Sequence, residues 1–262
     1  MGLSCYGLHM KQDVAIVITT VCRDSLIRAV RSVYAQNYAG RVQVLVGVDD
    51  DPKKRSERLY KELNDLRPPK VKLTWLDVGY STSRRHGGVH DCFFGGGLRS
   101  ALTFLANAEI VVYLDDDDWL HEDHLTQVLK AIEGKKWAFA YSIYCDGNTA
   151  TPLCTDEIES VGVNRGVFKD KFGGFVRPSG MAINKLQLLH LVHLWSCSPF
   201  KTGDGEDRLM FDRLRGEEHG CTGNPTVYYA LDPKDGMHAT RLAFMKSKGV
   251  EFTATQKTGS VR

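Results

Sequence analysis

Four consecutive aspartates, at positions 115–118, are the residues of this sequence whose type and spacing point most directly to chemistry. Adjacent carboxylates repel one another, so without a partner at least one of them would take up a proton. A divalent cation such as Mg2+ or Mn2+ removes the repulsion and keeps coordination positions open for phosphate oxygens. Alternate residues of an extended segment face the same way, so Asp115 and Asp117 would share one side of it. The alternative is a solvated acidic turn that caps the helix expected near His121.

A second group of aspartates and three arginines are further candidates for ligand contacts. Residues 49–51 are three aspartates at the end of an apolar run, where a carboxylate can accept hydrogen bonds from a ribose or a base; a simple turn is the alternative. The loop at 84–88 contains two arginines and a histidine and could hold phosphate, although such a composition also occurs in plain flexible loops. Arg99, directly after three glycines, is a stronger candidate for contact with a diphosphate or base.

Glu206 and Asp207 begin a predicted helix, where they either cap the helix or serve a site. Successive helical residues point about 100° apart, so only one of the two can face a site. His121 and His124 bracket two acidic residues in a pattern that resembles a metal cluster but also describes an ordinary first helical turn. His238, near the end of the chain, is a lone histidine.

The elements that must position these side chains alternate between apolar runs and helical patterns. The apolar run at 14–19 predicts a strand buried on both faces, and further strands are predicted at 42–48, 71–78 and 110–114. Helical patterns follow at 24–40, 54–66, 98–108 and 121–132. This alternation predicts an α/β fold with a parallel sheet. Right-handed crossovers place the carboxyl ends of such strands along one edge, outside which ligands bind. We therefore expect the acidic groups to converge there.

The second half of the chain has a less regular pattern. Strands are predicted at 137–145 and 226–231, helices at 186–195 and 204–215, a loop-rich stretch at 149–177 and a polar, frayed tail at 249–262. We expect a smaller, irregular lobe packed on the same sheet.

Composition excludes several classes of protein. With 34 Lys+Arg against 32 Asp+Glu and 42% hydrophobic residues, the chain is not disordered, and its overall field gives no reason to expect nucleic-acid binding. The seven cysteines show no C-x-x-C spacing, so neither a disulfide framework nor a thiolate zinc site is expected. No apolar stretch approaches the ~20 residues of a membrane span. These features predict a cytoplasmic protein, for which peripheral membrane contact stays open.

Several segments, in order, resemble the motifs of family 2 glycosyltransferases. They are Ile18-Thr19-Thr20-Val21-Cys22-Arg23, Ser32-Val33-Tyr34-Ala35-Gln36, Val46-Gly47-Val48-Asp49-Asp50, Leu98-Arg99-Ser100-Ala101-Leu102 with Tyr113-Leu114-Asp115-Asp116-Asp117-Asp118-Trp119-Leu120, and Gly205-Glu206-Asp207 with Arg213. The resemblance covers residues 14 to about 215. It implies a GT-A fold, in which a mostly parallel central sheet is flanked by helices and joined to a smaller acceptor-side lobe.

The resemblance also implies that two parts of a single domain bind the two substrates. Residues 13–118 would bind a nucleotide-sugar donor, UDP-sugar favoured, and residues 119–248 an acceptor hydroxyl on a glycan, a glycolipid or another molecule. A divalent cation, Mn2+ or Mg2+, would be held by the acidic run, and the sugar would be transferred with inversion. The implied donor-binding residues are Thr19, Thr20, Arg23, Asp49, Asp50, Arg84, Arg99, Asp115, Asp116 and Arg213. The implied metal ligands are Asp115, Asp116, Asp117, Asp118 and His238. Asp207 would be the general base, with Glu206 beside it.

The sequence departs from the family's pattern at three places, and these departures affect donor identity more than reaction class. Val21-Cys22 stands where the family has Tyr-Asn, Asp51-Pro52 where it has Gly-Ser, and Ser100 where it has Asn. No Gln-x-x-Arg-Trp motif occurs, which argues against a processive synthase. Two alternatives stay open at this point, namely a sugar-1-phosphate nucleotidyltransferase and a non-catalytic protein that binds sugar nucleotides.

Overall fold

The computed structural model describes residues 11–252, and a nine-stranded sheet forms its centre. The strands are β1 (Val14–Thr20), β2 (Val42–Val48), β3 (Val71–Asp77), β4 (Ile110–Tyr113), β5 (Trp119–Leu120), β6 (Trp137–Asp146), β7 (Pro152–Thr155), β8 (Gly162–Val163), β9 (Gly174–Phe175), β10 (Met181–Asn184) and β11 (His219–Leu231). Their order in the sheet is β3-β2-β1-β4-β10-β6-β11-β5, with β7 paired to β6, and β8 and β9 form a separate antiparallel pair.

The first four strands pair in parallel, as the sequence predicted. Val14 of β1 lies beside Val42 of β2 and Ile110 of β4, and Val42 lies beside Val71 of β3. Every residue of β1 and β2 is buried, which is the property that continuous apolar runs indicated. The carboxyl ends of these strands therefore meet at one edge, which is the edge that carries the acidic residues.

Helices cover both faces of the sheet and enclose two apolar cores. They are α1 (Ser25–Tyr34), α2 (Ser56–Asp65), α3 (Gly96–Leu105), α4 (His124–Ile132), α5 (Lys169–Phe172), α6 (Glu206–Leu214) and α7 (His238–Ser247), with 3-10 helices at Arg84–His86 and Leu189–Ser196. Side chains of α1, α2 and α4 pack on one face, and those of α3, α6 and the second 3-10 helix pack on the other. This arrangement confirms the α/β class and the flanking helices.

The second half makes the sheet mixed. β10 runs antiparallel to both β4 and β6, while β11 runs parallel to β6 and antiparallel to the short strand β5. β5 takes Trp119 and Leu120 into the sheet, so α4 begins at His124 and not at His121 as expected. β11 begins seven residues before the predicted Thr226, because it follows β6 through two register shifts.

Three expectations for this half were incomplete or wrong. The segment 186–195 is not a buried α-helix but a 3-10 helix of which only Val192 and Trp195 are buried. The loop-rich stretch 149–177 contains three short strands and α5, and α7 was not predicted at all. Of the predicted tail, residues 253–262 lie outside the described residues.

All six cysteines between residues 11 and 252 are free, and three of them, Cys22, Cys92 and Cys145, are buried. Among the helices of this range, none has the length and apolar character needed to cross a bilayer.

Candidate active site

An open cleft of about 630 Å3 lies at the carboxyl edge of the parallel strands. Most of the residues singled out from the sequence line it together, although they come from strand ends and helix starts far apart in the chain. The predicted residues among its lining are Thr19, Thr20, Arg23, Asp49, Asp50, Arg99, Asp115, Asp116, Asp117, Glu206 and Asp207.

Four predicted residues do not line the cleft. Arg84 forms an ion pair with Asp91 on the outer side of its loop, where both side chains are mostly exposed. Arg213 is exposed near the far end of α6. Asp118 is buried, and His238 begins α7 with its Nδ1 buried and unpartnered. Motif order does not reveal which way a side chain points, so these four residues match the family's motifs without lining the cleft.

Each aspartate of the run has a different environment. Asp115 accepts a 2.6 Å bond from Nη2 of Arg99, and its backbone N–H donates to Ser179. Asp116 is buried, accepting from Thr20 Oγ1 at 2.6 Å. Asp117 remains 44% exposed in its side chain, compared with 32% for Asp115. The run thus has two accessible carboxylates, 115 and 117, alternating with two buried ones. This alternation arises in a turn at residues 116–117, where the Asp118 N–H donates to the Asp115 carbonyl at 3.3 Å, and not in the extended segment that the sequence predicted.

The side chain of Asp118 contacts strand β11 and does not line the cleft. It is 1% exposed, and its Oδ1 accepts the backbone N–H of Ala230 on β11 at 3.0 Å. Its Oδ2 is buried without a hydrogen-bond partner. Burial, and then the charge of Asp117, raises the pKa of Asp118 well above its usual range. The neutral acid is favoured there, so this residue joins β4 to β11 and makes a poor metal ligand.

The three aspartates after β2, at positions 49–51, also have different contacts. Asp49 is buried and accepts hydrogen bonds from Ser81 Oγ at 3.2 Å and Thr82 Oγ1 at 3.0 Å, which ties the loop after β3 to β2. Asp51 caps α2, since its oxygens accept the N–H groups of the first helical residues. Asp50 is therefore the member of the three that can meet a ligand, and Nδ1 of His86 lies 3.2 Å from its Oδ2.

Arg99 connects the aspartate run to α6. Gly95, in the left-handed conformation, starts α3 and directs Arg99 inward, where its guanidinium lies 4.9 Å from the centre of the Trp195 ring. Nη1 of Arg99 is 3.9 Å from Oε1 of Glu206. Only 3% of the surface of Arg99 is exposed, so its guanidinium interacts mainly with these two carboxylates.

The two acids at the start of α6 differ in burial. Glu206 is buried, and desolvation followed by the charge of Asp207 raises its pKa to about 7. Asp207 is only partly buried and lines the cleft, with its Oδ1 accepting the backbone N–H of Arg208 at 2.7 Å. Desolvation raises the pKa of Asp207 as well. A partly accessible carboxylate of raised pKa is suited to accept a proton.

The structure adds cleft residues that sequence reasoning missed. Tyr229 and Asp235 form part of the wall near the end of β11, and the guanidinium of Arg177 lies 3.8 Å from the Tyr229 ring. Arg177 and Arg241 are buried, and both contact Glu159, at 3.3 and 2.7 Å. No local signal marks this cluster, because its members come from loops and from α7. The cleft also gains Phe93, Phe94, Lys53, Arg55, Pro178 and Asp232.

The two histidines at the start of α4 and just before it, His124 and His121, have separate partners. His124 is fully buried, with Nδ1 2.8 Å from Thr226 Oγ1, and burial lowers its pKa to about 3. His121 lies instead 3.7 Å from Asp123. Within residues 11–252 no three His, Cys, Asp or Glu side chains are arranged to hold a metal ion.

The charge of the cleft nevertheless suits a cation. Nine carboxylates line it against five arginines and lysines. A phosphate-bearing ligand would be repelled by that excess of negative charge unless a cation accompanied it. The chemistry of the oxygen donors thus fits a hard divalent ion at Asp115 and Asp117, while their present partners are arginines.

Comparison with known proteins identifies the fold. No family model and no curated protein sequence matches the chain. Among solved structures it is similar to S. aureus TarS, at 13% identity and a TM-score of 0.59, over 92% of this chain and 41% of that chain. It is also similar to TarS 1-349 in complex with UDP, at 13% identity, a TM-score of 0.58 and coverages of 92% and 67%. For TarS 1-349 in complex with UDP-GlcNAc, identity is 11%, the TM-score 0.60 and the coverages 92% and 68%.

This likeness covers 92% of the chain, although the chain spans less than half the length of the first TarS chain that it matches. At such low identity it establishes architecture. The described residues therefore have a GT-A-like fold.

Proposed function

We propose that this protein is a glycosyltransferase that moves a sugar from a nucleotide-diphosphate donor, UDP-sugar favoured, to an acceptor hydroxyl. The main observation in support of this proposal is that one cleft at the carboxyl edge of the sheet is lined by Asp50, Asp115, Asp117 and Asp207. The fold supports the same reading, because TarS structures of this architecture contain UDP and UDP-GlcNAc. The order of motifs further supports a family 2, non-processive enzyme.

The donor is proposed to lie across the ends of β1, β2 and β4. Thr19 and Asp50 supply polar atoms for the nucleoside, and the cations Lys53, Arg55 and Arg85 line the same part of the cleft. Arg99 is too deeply buried and too fully paired to act chiefly on the donor. Its role in this proposal is to fix Asp115 in place, which refines the expectation that it meets the nucleotide.

Asp115 and Asp117 are the residues proposed to hold a divalent cation, since their side chains are 32% and 44% exposed while those of Asp116 and Asp118 are buried. When bound, Mn2+ or Mg2+ would supply positive charge for the leaving diphosphate. His238, which begins α7 and does not line the cleft, is omitted from this set.

Asp207 is proposed to act as general base. An acceptor hydroxyl loses its proton to the Asp207 carboxylate as its oxygen forms a bond to the sugar C1. The bond from C1 to the diphosphate oxygen breaks, and its electron pair leaves with the diphosphate. Attack from the face opposite to the leaving group inverts C1. Glu206 is buried beside it, and desolvation, with a smaller contribution from the charge of Asp115, raises the pKa of the Asp207 carboxyl. Tyr229, Asp232 and Asp235 would then contact the acceptor, whether a glycan, a glycolipid or another hydroxyl compound.

Release of UDP from UDP-sugars, followed with and without added acceptors, tests this proposal. Asp207→Asn should lower kcat by at least about a hundredfold and leave UDP affinity unchanged, since the amide cannot take the proton. Asp212→Asn is the matched control, because Asp212 is on the same helix and pairs with Arg215 at the surface. Near-normal turnover by Asp207→Asn would refute the base assignment, and absence of turnover by the wild type with every UDP-sugar would refute the activity.

A further inference from the structure

Arg23 occupies the position in the cleft where a bound cation would need to be. Its Nη1 lies 3.0 Å from Oδ1 of Asp116 and 2.8 Å from Oδ2 of Asp117. A single guanidinium nitrogen thus bridges two neighbouring carboxylates. One of these, Asp117, is a carboxylate proposed above to hold the divalent cation, so the two cations would compete for the same oxygen.

Arg23 is surrounded by carboxylates, two of which it contacts directly. Asp116 and Asp117 raise the pKa of the Arg23 guanidinium, and Asp115 and Asp232 add to the effect. These carboxylates belong to two separate segments, at the end of β4 and after β11. Their fields therefore add at the Arg23 head group because the fold brings the segments together.

Arg23 is also placed so that it can leave. Its side chain is 52% exposed, and it stands between β1 and α1, outside both elements. The preceding Cys22 has a φ of 58°, so the chain turns sharply there and directs Arg23 back over the cleft. Arg99, which pairs with Asp115 of the same run, has a side chain only 4% exposed and is packed on Trp195. One arginine is thus fixed and the other is accessible.

We propose that Arg23 is a built-in counter-cation, which neutralises Asp116 and Asp117 until a divalent cation binds and must then release them. The inference rests on the cation site of the proposed function. Without Arg23, two adjacent carboxylates would repel each other at the mouth of the cleft. After release, the guanidinium stays in the donor half of the cleft, where a diphosphate oxygen is a suitable partner. Arg23 would then make metal uptake and donor uptake mutually supportive.

Binding of Mn2+ to the full chain, measured by electron paramagnetic resonance without any nucleotide, tests the proposal. Arg23→Gln should bind Mn2+ about tenfold more tightly than the wild type. This is the effect of removing one positive charge about 5 Å from a divalent ion in a water-like dielectric. Arg58→Gln is the matched control, since Arg58 is 53% exposed in its side chain and pairs with Asp24 and Glu62 on α2. It should change the affinity by less than twofold.

Equal or weaker Mn2+ binding by Arg23→Gln, or an equal gain in Arg58→Gln, would overturn the proposal, as would absence of Mn2+ binding in all three proteins. Arg23→Lys keeps the charge and serves if the Gln variant fails to fold as judged by circular dichroism. With the charge retained, its Mn2+ affinity should stay within threefold of the wild type, and a tenfold gain would contradict the competition. Because no donor is present, failure here is distinct from failure to release UDP.

Discussion

Replacing Arg99 with Met should destabilise the protein in a pH-dependent way. Nη2 of Arg99 is 2.6 Å from Asp115 and Nη1 is 3.9 Å from Glu206, with the arginine side chain 4% exposed. Removing one partner of a buried ion pair costs about 3–5 kcal/mol, because the remaining charge is left desolvated. The side chain of Asp115 is 32% exposed, so water can solvate its carboxylate once Arg99 is gone. We therefore expect a loss of stability near the lower end of that range, about 3 kcal/mol at pH 8. The Met side chain retains most of the packing against Trp195.

Lowering the pH should reduce that loss. The pKa of Glu206 is already about 7 with Arg99 present, and removal of the guanidinium raises it further. At pH 5 the Glu206 carboxyl of the variant is protonated and no longer needs a partner, so we expect a loss of about 1–2 kcal/mol. Urea unfolding followed by circular dichroism at the two pH values measures both numbers.

Arg58→Met provides the control for the same chemical change at the surface. Arg58 is 53% exposed and pairs with Asp24 and Glu62, so its replacement should cost less than about 1 kcal/mol at either pH. A loss below 1 kcal/mol for Arg99→Met at pH 8 would refute the reasoning. An equal loss at pH 5 and pH 8 would also refute it, because the cost would then come from packing and not from charge.

Two further predictions follow from groups whose pKa values are shifted by burial. The raised pKa of Glu206 means that its ionised form destabilises the fold, so stability falls as pH rises from about 4.5 to 7. Glu206→Gln should therefore have a free energy of unfolding up to about 3 kcal/mol above that of the wild type at pH 8, and the same free energy at pH 4.5. A variant less stable than the wild type at pH 8 would contradict this. The lowered pKa of His124 means that its neutral form stabilises the fold, so stability falls as pH drops from about 6.5 toward 3. His124→Gln should flatten this acid limb in urea melts, and an unchanged slope between pH 6.5 and pH 4.5 would exclude His124 as its source.

The donor half of the site could be predicted from sequence because topology, not contact, brings it together. Apolar runs identify β1, β2 and β4, and right-handed crossovers then require their carboxyl ends to share one edge. Asp50 and Asp115 follow two of these strands, so their convergence needs no knowledge of side-chain positions. The same reasoning applies to Thr19, at the end of β1.

Side-chain direction within a charged run could not be predicted in the same way. Four identical aspartates at 115–118 differ only through their neighbours, and Asp118 turns to the Ala230 N–H because β11 lies beside it. β11 itself reaches that position through two register shifts, which no local pattern encodes. Asp51 likewise resembles a ligand in sequence but caps α2 in the structure.

The acceptor side was the least predictable part. Tyr229 is held between the guanidinium groups of Arg177 and Arg241, at 3.8 and 5.0 Å from its ring. Arg241 belongs to α7, a helix with weak amphipathic character in the sequence. Arg241 also pairs with Glu159, which lies 82 positions away in the chain, so only the folded chain reveals this cluster.

Calorimetric titration of UDP in the presence of Mn2+ tests the central claim most directly. The account predicts saturable binding of UDP to the wild type, and at least a tenfold weaker affinity for Asp50→Ala, whose carboxylate is proposed to meet the nucleoside. Asp65→Ala, which alters an exposed residue at the end of α2, should bind as the wild type does. Binding of GDP, TDP or CMP in preference to UDP would correct the donor. Absence of binding for all four nucleotides, or equal affinity in Asp50→Ala, would contradict the account.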